Sequence, residues 1–209
     1  MKHSINYLSF RERFIRYGCF NVNHIFCWKP EFDSNSLTRW VRKGYLIRLR
    51  QGWYAFRECL QQPDMSRYIA NRIYSPSYIS LETALSFYGM IPESVTDITC
   101  VTTLKTASFS NEFGRYGYRN VKTAVFFGFD LKRMADGRAV YFAFPEKALI
   151  DFIYLNPQYS GEDDMLNLRL DGSFMDTDFD KARSDGFVGK IGSKALKNRM
   201  DKLYEVYGL

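Results

Sequence analysis

The chain has 209 residues, 46% of them hydrophobic and 17% aromatic, and carries a formal net charge of +6. That apolar content suffices for packed cores and excludes general disorder, and the length suits two small domains. No apolar run approaches the roughly 18 residues of a membrane span, and the opening MKHSINYLSFRERF lacks the apolar stretch of a secretory signal; a cytoplasmic protein with no membrane partner is expected.

Cys19, Cys27, Cys59 and Cys100 form no C-x-x-C pair, and His3 and His24 are the only histidines. No structural zinc set can be assembled from them by the usual spacing, so reduced, structural thiols and no cofactor are expected.

In chain order, residues 4 to 17 read as a first helix, with Ile5, Leu8, Phe10 and Phe14 on its apolar side and a break at Gly18. Residues 21 to 28 read as a second, ended before Lys29-Pro30 because the residue before proline avoids the helical region. In the stretch DSNSLTRWVRKGYLIRLRQGWYAFR, Asp33 or Ser34 can cap a third helix. Leu37, Trp40 and Val41 recur at i, i+3 and i+4, which makes one buried stripe. Asn35, Ser36, Thr38, Arg39, Arg42 and Lys43 fall on the other face, and Gly44 stops the helix where a left-handed residue is easiest. Residues 45 to 49 and 53 to 56 then read as a hairpin with its turn at Gln51-Gly52. Arg48 and Arg50 share one strand face by their two-residue spacing.

From Ser34 to Arg57 there are six basic residues and no acidic one. Residues 1 to 57 hold eleven Lys and Arg against three acids, a net of +8, while the remaining 18 bases and 20 acids give −2. All the excess positive charge therefore sits in the first quarter of the chain. A merely solvated face would not need that asymmetry. Helix, helix, basic helix, basic hairpin is the element order of a winged helix-turn-helix, in which the third helix enters the major groove of double-stranded DNA and the hairpin lies on phosphates. The candidate DNA contacts are thus Asn35, Ser36, Thr38, Arg39, Arg42 and Lys43 on the helix and Arg48 and Arg50 on the wing.

A polar stretch with Pro63, from Glu58 to Asp64, reads as a linker, dividing the chain into residues 1–58 and 65–209. Beyond it, helices are expected over 65–74 and 79–90, separated by Ser75-Pro76-Ser77. Strands are expected over 95–104, 121–129 and 139–144, the last entered through a turn at Asp136-Gly137. The glycine- and aromatic-rich residues 109–118 belong to the same sheet region. Pro145 opens the helix PEKALIDFIYL, with Glu146 at its positive end and Leu149 and Phe152 as core anchors. Lys147 and Asp151 read as an i,i+4 surface pair worth about a few tenths of a kcal/mol. Shorter helices over 161–170 and 176–184 and a long one over 193–207 complete the chain. The expected class is α+β: a winged helix-turn-helix followed by a mixed α/β C-terminal domain with an antiparallel sheet and helices.

Catalytic and metal motifs are largely missing. Asp176-x-Asp178-x-Asp180 begins like a calcium loop, but Lys181 and Phe187 stand where the loop needs its glycine and its bidentate glutamate. Gly189-Lys190 and Gly192-Ser193-Lys194 hold phosphate-loop residues in the wrong order, and neither G-x-S-x-G nor H-E-x-x-H occurs. A nuclease centre could draw on Asp97 and Lys105, a weak pattern. No enzyme is expected.

Three stretches together resemble the AbiEi family, the antitoxin half of bacterial abortive-infection E type IV toxin–antitoxin systems: RWVRKGYLIRLRQGWYAF (39 to 56), YISLETALSFYGMIPE (78 to 93) and FPEKALIDFIYL (144 to 155). The resemblance runs from about residue 20 to residue 156. It implies an N-terminal winged helix that binds operator DNA and represses its own operon. It also implies a C-terminal domain that counters a nucleotidyltransferase-like toxin encoded alongside. Two other readings stand beside it: a winged-helix regulator whose second domain senses an unrelated ligand or partner, and a DNA-processing nuclease.

Overall fold

The computed structural model describes residues 5–209, so His3 and the first residue of the expected first helix lie outside the described residues. Asn6 caps α1 (Tyr7–Phe14) by accepting from the Ser9 N–H at 2.8 Å. A 3-10 turn (Ile15–Tyr17) leads through Gly18 into β1 (Cys19–Asn21), and Asn21 caps α2 (Val22–Trp28). Then come α3 (Asn35–Arg42), β2 (Leu46–Arg50) and β3 (Trp53–Phe56). The strands form an antiparallel sheet in the order β1-β3-β2. The sequence predicts only the β2–β3 hairpin; at three residues β1 is too short for alternation to register. Its reason is burial, since Cys19 and Phe20 are wholly enclosed. Phe20 meets Phe10 at 5.4 Å, and Phe10 meets Trp40 at 4.6 Å, so an aromatic cluster holds α1, α3 and the sheet together.

The expected linker is a packed turn. Residues Arg57–Gln61 form a 3-10 turn that buries Cys59, and Arg11 grips Glu58 through two nitrogens at 2.8 and 2.7 Å. The second half begins with α4 (Met65–Ile73), β4 (Ser77–Ile79) and α5 (Leu81–Phe87). It continues through β5 (Ile98–Thr102), β6 (Ala107–Asn111), β7 (Gly114–Asn120), β8 (Phe129–Arg133) and β9 (Ala139–Ala143). It closes with α6 (Pro145–Leu155), α7 (Glu162–Leu166), α8 (Gly172–Thr177), α9 (Lys181–Ile191) and α10 (Lys194–Tyr207). The expected helix over 176–184 is in fact the end of α8 and the start of α9, parted where Asp180 accepts from the Arg183 N–H and starts a new helix. Among the described residues no helix is long and apolar enough to cross a membrane.

The fold is α+β, with one correction to the sheet. Six strands run in the order β6-β7-β5-β4-β9-β8, and the sheet is mixed: β4 with β9 and β5 with β7 are parallel, the other neighbours antiparallel. Strand direction is set by where the intervening segments return the chain, which strand-local patterns do not carry. The predicted strand over 121–129 is also wrong. Val121 and Val125 are buried in an irregular stretch with one 3-10 turn, and β8 starts only at Phe129. Its apolar run fills core without pairing.

The helix α6 overturns the surface-pair expectation. Lys147 and Asp151 form an ion pair with both side chains wholly buried. α6 is apolar nearly all round (Ala148, Leu149, Ile150 and Ile153 are fully enclosed), so no face is left for solvent. Gly128 makes room for the lysine: its φ is 75°, and a Cβ there would come within 2.8 Å of the Lys147 stem.

Removing one member of such a pair strands the other charge. Lys147→Met is expected to cost about 3–5 kcal/mol in urea unfolding, and Lys147→Met with Asp151→Leu should recover part of it. A single variant as stable as the parent would show that the pair contributes nothing.

Candidate functional site

The outward face of α3 is built from its cap upward. Asp33 Oδ1 accepts from the Asn35 N–H at 3.1 Å and the Asp33 carbonyl from the Ser36 N–H at 3.0 Å, so the capping side chain at the helix start is that of Asp33 and not that of Ser34. Leu37 and Trp40 are buried, Trp40 against Phe10 and Phe32, and Val41 is half-buried. Asn35, Thr38, Arg39, Arg42 and Lys43 are exposed together on the opposite side. Gly44, at φ 72°, ends the helix and donates to the Val41 carbonyl at 2.9 Å.

Ser36 does not join that face. It is buried, and its hydroxyl accepts from Arg39 Nη2 at 2.8 Å, while Asp33 Oδ2 lies 3.7 Å from the same nitrogen. Ser36 and Asp33 thus aim the Arg39 guanidinium, which keeps 59% of its side chain exposed. A pre-aimed fork of donors suits bidentate acceptance by a base edge or phosphate.

Arg48 and Arg50, predicted on one strand face, stand on opposite faces. Arg48 pairs with Tyr54 and Arg50 with Trp53, so two residues of β2 oppose one of β3 between them. A bulge of this kind reverses the alternation beyond it. Arg48 stays exposed; Arg50 turns inward, donates to the Ile73 carbonyl at 2.6 Å and stacks over Phe109 at 4.7 Å and Tyr74 at 5.4 Å. Beside it, Asn111 Nδ2 donates to the Leu49 carbonyl at 3.2 Å, and Arg57 pairs with Glu112 at 2.7 Å. Strand β2 is therefore tied to β6 and α4.

A second constellation lies in the core. Tyr78 Oη and Ser80 Oγ each donate to Asp151 Oδ2 at 2.8 Å; Lys147 Nζ donates to Tyr78 Oη at 2.8 Å and to Asp151 Oδ1. The ammonium also lies 5.3 Å from the ring centres of Tyr78 and Phe127. Burial pushes the Asp151 carboxyl up and the Lys147 ammonium down, each opposed by the other's charge, and it raises the Tyr78 phenol, helped by Asp151. All four side chains are enclosed, so no substrate atom reaches them, and the chemistry available is that of a clamp between β4 and α6. Next to it the buried Glu146 accepts from the Asp180 N–H at 3.1 Å and lies 3.5 Å from Arg183, which pins the start of α9. The one hint in the sequence is that the remaining α6 residues are apolar nearly all round; the i,i+4 spacing by itself fits a solvent pair equally well.

The other candidates do not converge. Asp97 and Lys105 lie beyond opposite ends of β5, and Asp97 pairs with Arg115 at 3.2 Å. Asp180 caps α9 and Asp178 accepts from the Thr177 hydroxyl at 2.7 Å, so two of the three acids of that stretch serve local structure. Among the described residues no group of three or more His, Cys, Asp or Glu stands close enough to hold a metal ion. Compared with known proteins, the chain matches no family model and no curated protein.

The two wing arginines should separate by measurement. Arg50→Ala leaves the Ile73 carbonyl without its donor and should destabilise the fold by roughly 1–3 kcal/mol. Arg48→Ala should stay within about 0.5 kcal/mol of the parent. Equal denaturation midpoints for the two would contradict the bulge geometry.

Proposed function

We propose that this protein is a DNA-binding antitoxin of the AbiEi kind, with residues 1–58 as a winged helix-turn-helix on operator DNA and the remainder opposing a nucleotidyltransferase-like toxin. The observation that carries the DNA half is the exposed set Asn35, Thr38, Arg39, Arg42 and Lys43 on α3, backed by buried Leu37 and Trp40 and lying in the quarter of the chain that holds all the excess positive charge. A helix so anchored can enter a major groove without unfolding anything behind it. Arg48 on the neighbouring strand suits a phosphate; Arg50 serves the fold and is removed from the contact set, and Ser36 acts through Arg39.

The toxin-opposing half rests on the resemblance alone. Tyr78 and Ser80 come from the second resembling stretch and Lys147 and Asp151 from the third, and the hydrogen bonds between them join the two stretches in space. Their polar residues thus serve a common scaffold. The compartment in this reading is the cytoplasm.

Expressing the adjacent gene with and without this chain and scoring growth tests the antitoxin role; toxicity unrelieved by this chain, or no toxicity at all, would remove it. On the chain's own promoter, Arg39→Ala is expected to cost roughly 1–3 kcal/mol of binding and relax preference at one base pair. Arg48→Ala should weaken specific and nonspecific DNA alike and reduce the slope of log affinity against log salt by about one. Titrations showing both variants unchanged would withdraw the α3 face as the contact surface.

A further inference from the structure

Where the first 3-10 turn, α2 and α4 meet, a cavity of about 290 Å³ opens to solvent. Its walls are the rings of Phe14, Tyr17 and Trp28. Phe14 and Trp28 meet edge to face at 5.5 Å and Tyr17 lies 6.1 Å from Phe14. Arg16 holds Tyr17 in place, stacking on its ring at 5.1 Å and donating to its hydroxyl at 3.2 Å.

Two exposed arginines, Arg13 and Arg72, line the same cavity, and among the described residues no carboxylate does. Nearby, Arg11 pairs with Glu58 and Arg138 with Asp136, whereas Arg16, on the Tyr17 ring at the rim, makes no ion pair among the described residues. Arg13 and Arg72 take part in no ion pair among the described residues. His24, also on the wall, accepts at Nδ1 from the Asn21 N–H, and partial burial together with Arg72 holds its imidazole below the ordinary value. At neutral pH the positive charge on the lining is thus that of Arg13 and Arg72, with Arg16 adding to it from the outer side of Tyr17.

Aromatic walls take a flat ring, and unopposed guanidinium forks take a carboxylate or phosphate. We propose that this cavity binds a small planar aromatic anion, its ring among Phe14, Tyr17 and Trp28 and its acid group on Arg13 and Arg72. Arg13 and Trp28 belong to the first half of the chain and Arg72 to α4, so an occupant bridges the two. The inference does not depend on the DNA or antitoxin reading.

Cys27 provides the readout, because it lines the cavity and is exposed, whereas Cys19, Cys59 and Cys100 are buried. Burial pushes the Cys19 thiol up to about 12 and raises those of Cys59 and Cys100, which keeps them unreactive. Alkylation of Cys27 in the native full chain by iodoacetamide is followed by mass spectrometry with indole-3-carboxylate, its neutral isostere indole-3-carboxamide, or inorganic phosphate as probe. At a concentration a few times its dissociation constant the carboxylate should slow alkylation roughly threefold or more, by mass action, and the other two should protect less. Arg13→Ala with Arg72→Ala, and the uncharged Arg13→Gln with Arg72→Gln, should abolish the protection, read for each variant against its own rate without probe, and leave the melting temperature unchanged. No protection at millimolar carboxylate, equal protection by the amide or by phosphate alone, or protection that survives both double variants would overturn the proposal.

Discussion

Burying an ammonium and a carboxylate is costly unless each finds its partner and its remaining hydrogen bonds, and that constraint organises the second half of this protein. Asp151 is satisfied by Lys147 on its own helix, by Tyr78 in β4 and by Ser80 at the start of α5. Lys147 is satisfied by Asp151 and Tyr78 and lies between two aromatic rings. A hydrophobic contact tolerates sliding by a fraction of a side chain. This network does not, because a displaced α6 would leave a charge unpaired in the core. It therefore sets the register of α6 on β4, the central strand that joins β5 to β9. Glu146, one residue earlier, extends the same logic to α9 by accepting at that helix's start.

The first half is organised differently, by aromatic packing. Phe10 meets Phe14, Phe20, Phe32, Trp40 and Phe56, so one ring gathers α1, α3 and the strands β1 and β3. Such a core leaves the polar side of α3 free of structural duties, apart from Ser36 and Asp33, which orient Arg39. That division of labour suits a face meant for a partner. The halves are not independent, however. Arg50, Asn111 and the Arg57–Glu112 pair fasten the hairpin to the second sheet, and buried Cys59 makes the junction part of the core. In the proposed function, a partner gripping the second half and DNA held by α3 would act on one connected body.

Much was legible in the residues themselves because it depends on neighbours within one or two turns. The buried stripe of α3, its stop at Gly44, the Asp136-Gly137 hairpin, the start of α6 at Pro145 and the long C-terminal helix all follow from local periodicity, caps and turn chemistry. The concentration of positive charge in residues 1–57 is likewise a property of the sequence alone. Tertiary structure decided the rest, for reasons of range. Strand direction in the mixed sheet depends on where distant segments return. The inward turn of Arg50 depends on one extra residue at a bulge, which pairing with β3 creates and sequence spacing hides. Lys147 and Asp151 have the spacing of a solvent pair, and only the apolar surroundings from β4, Phe127 and Gly128 make them a core clamp. A side chain's role is local when its partners are near in sequence; here the decisive partners lie about seventy residues apart.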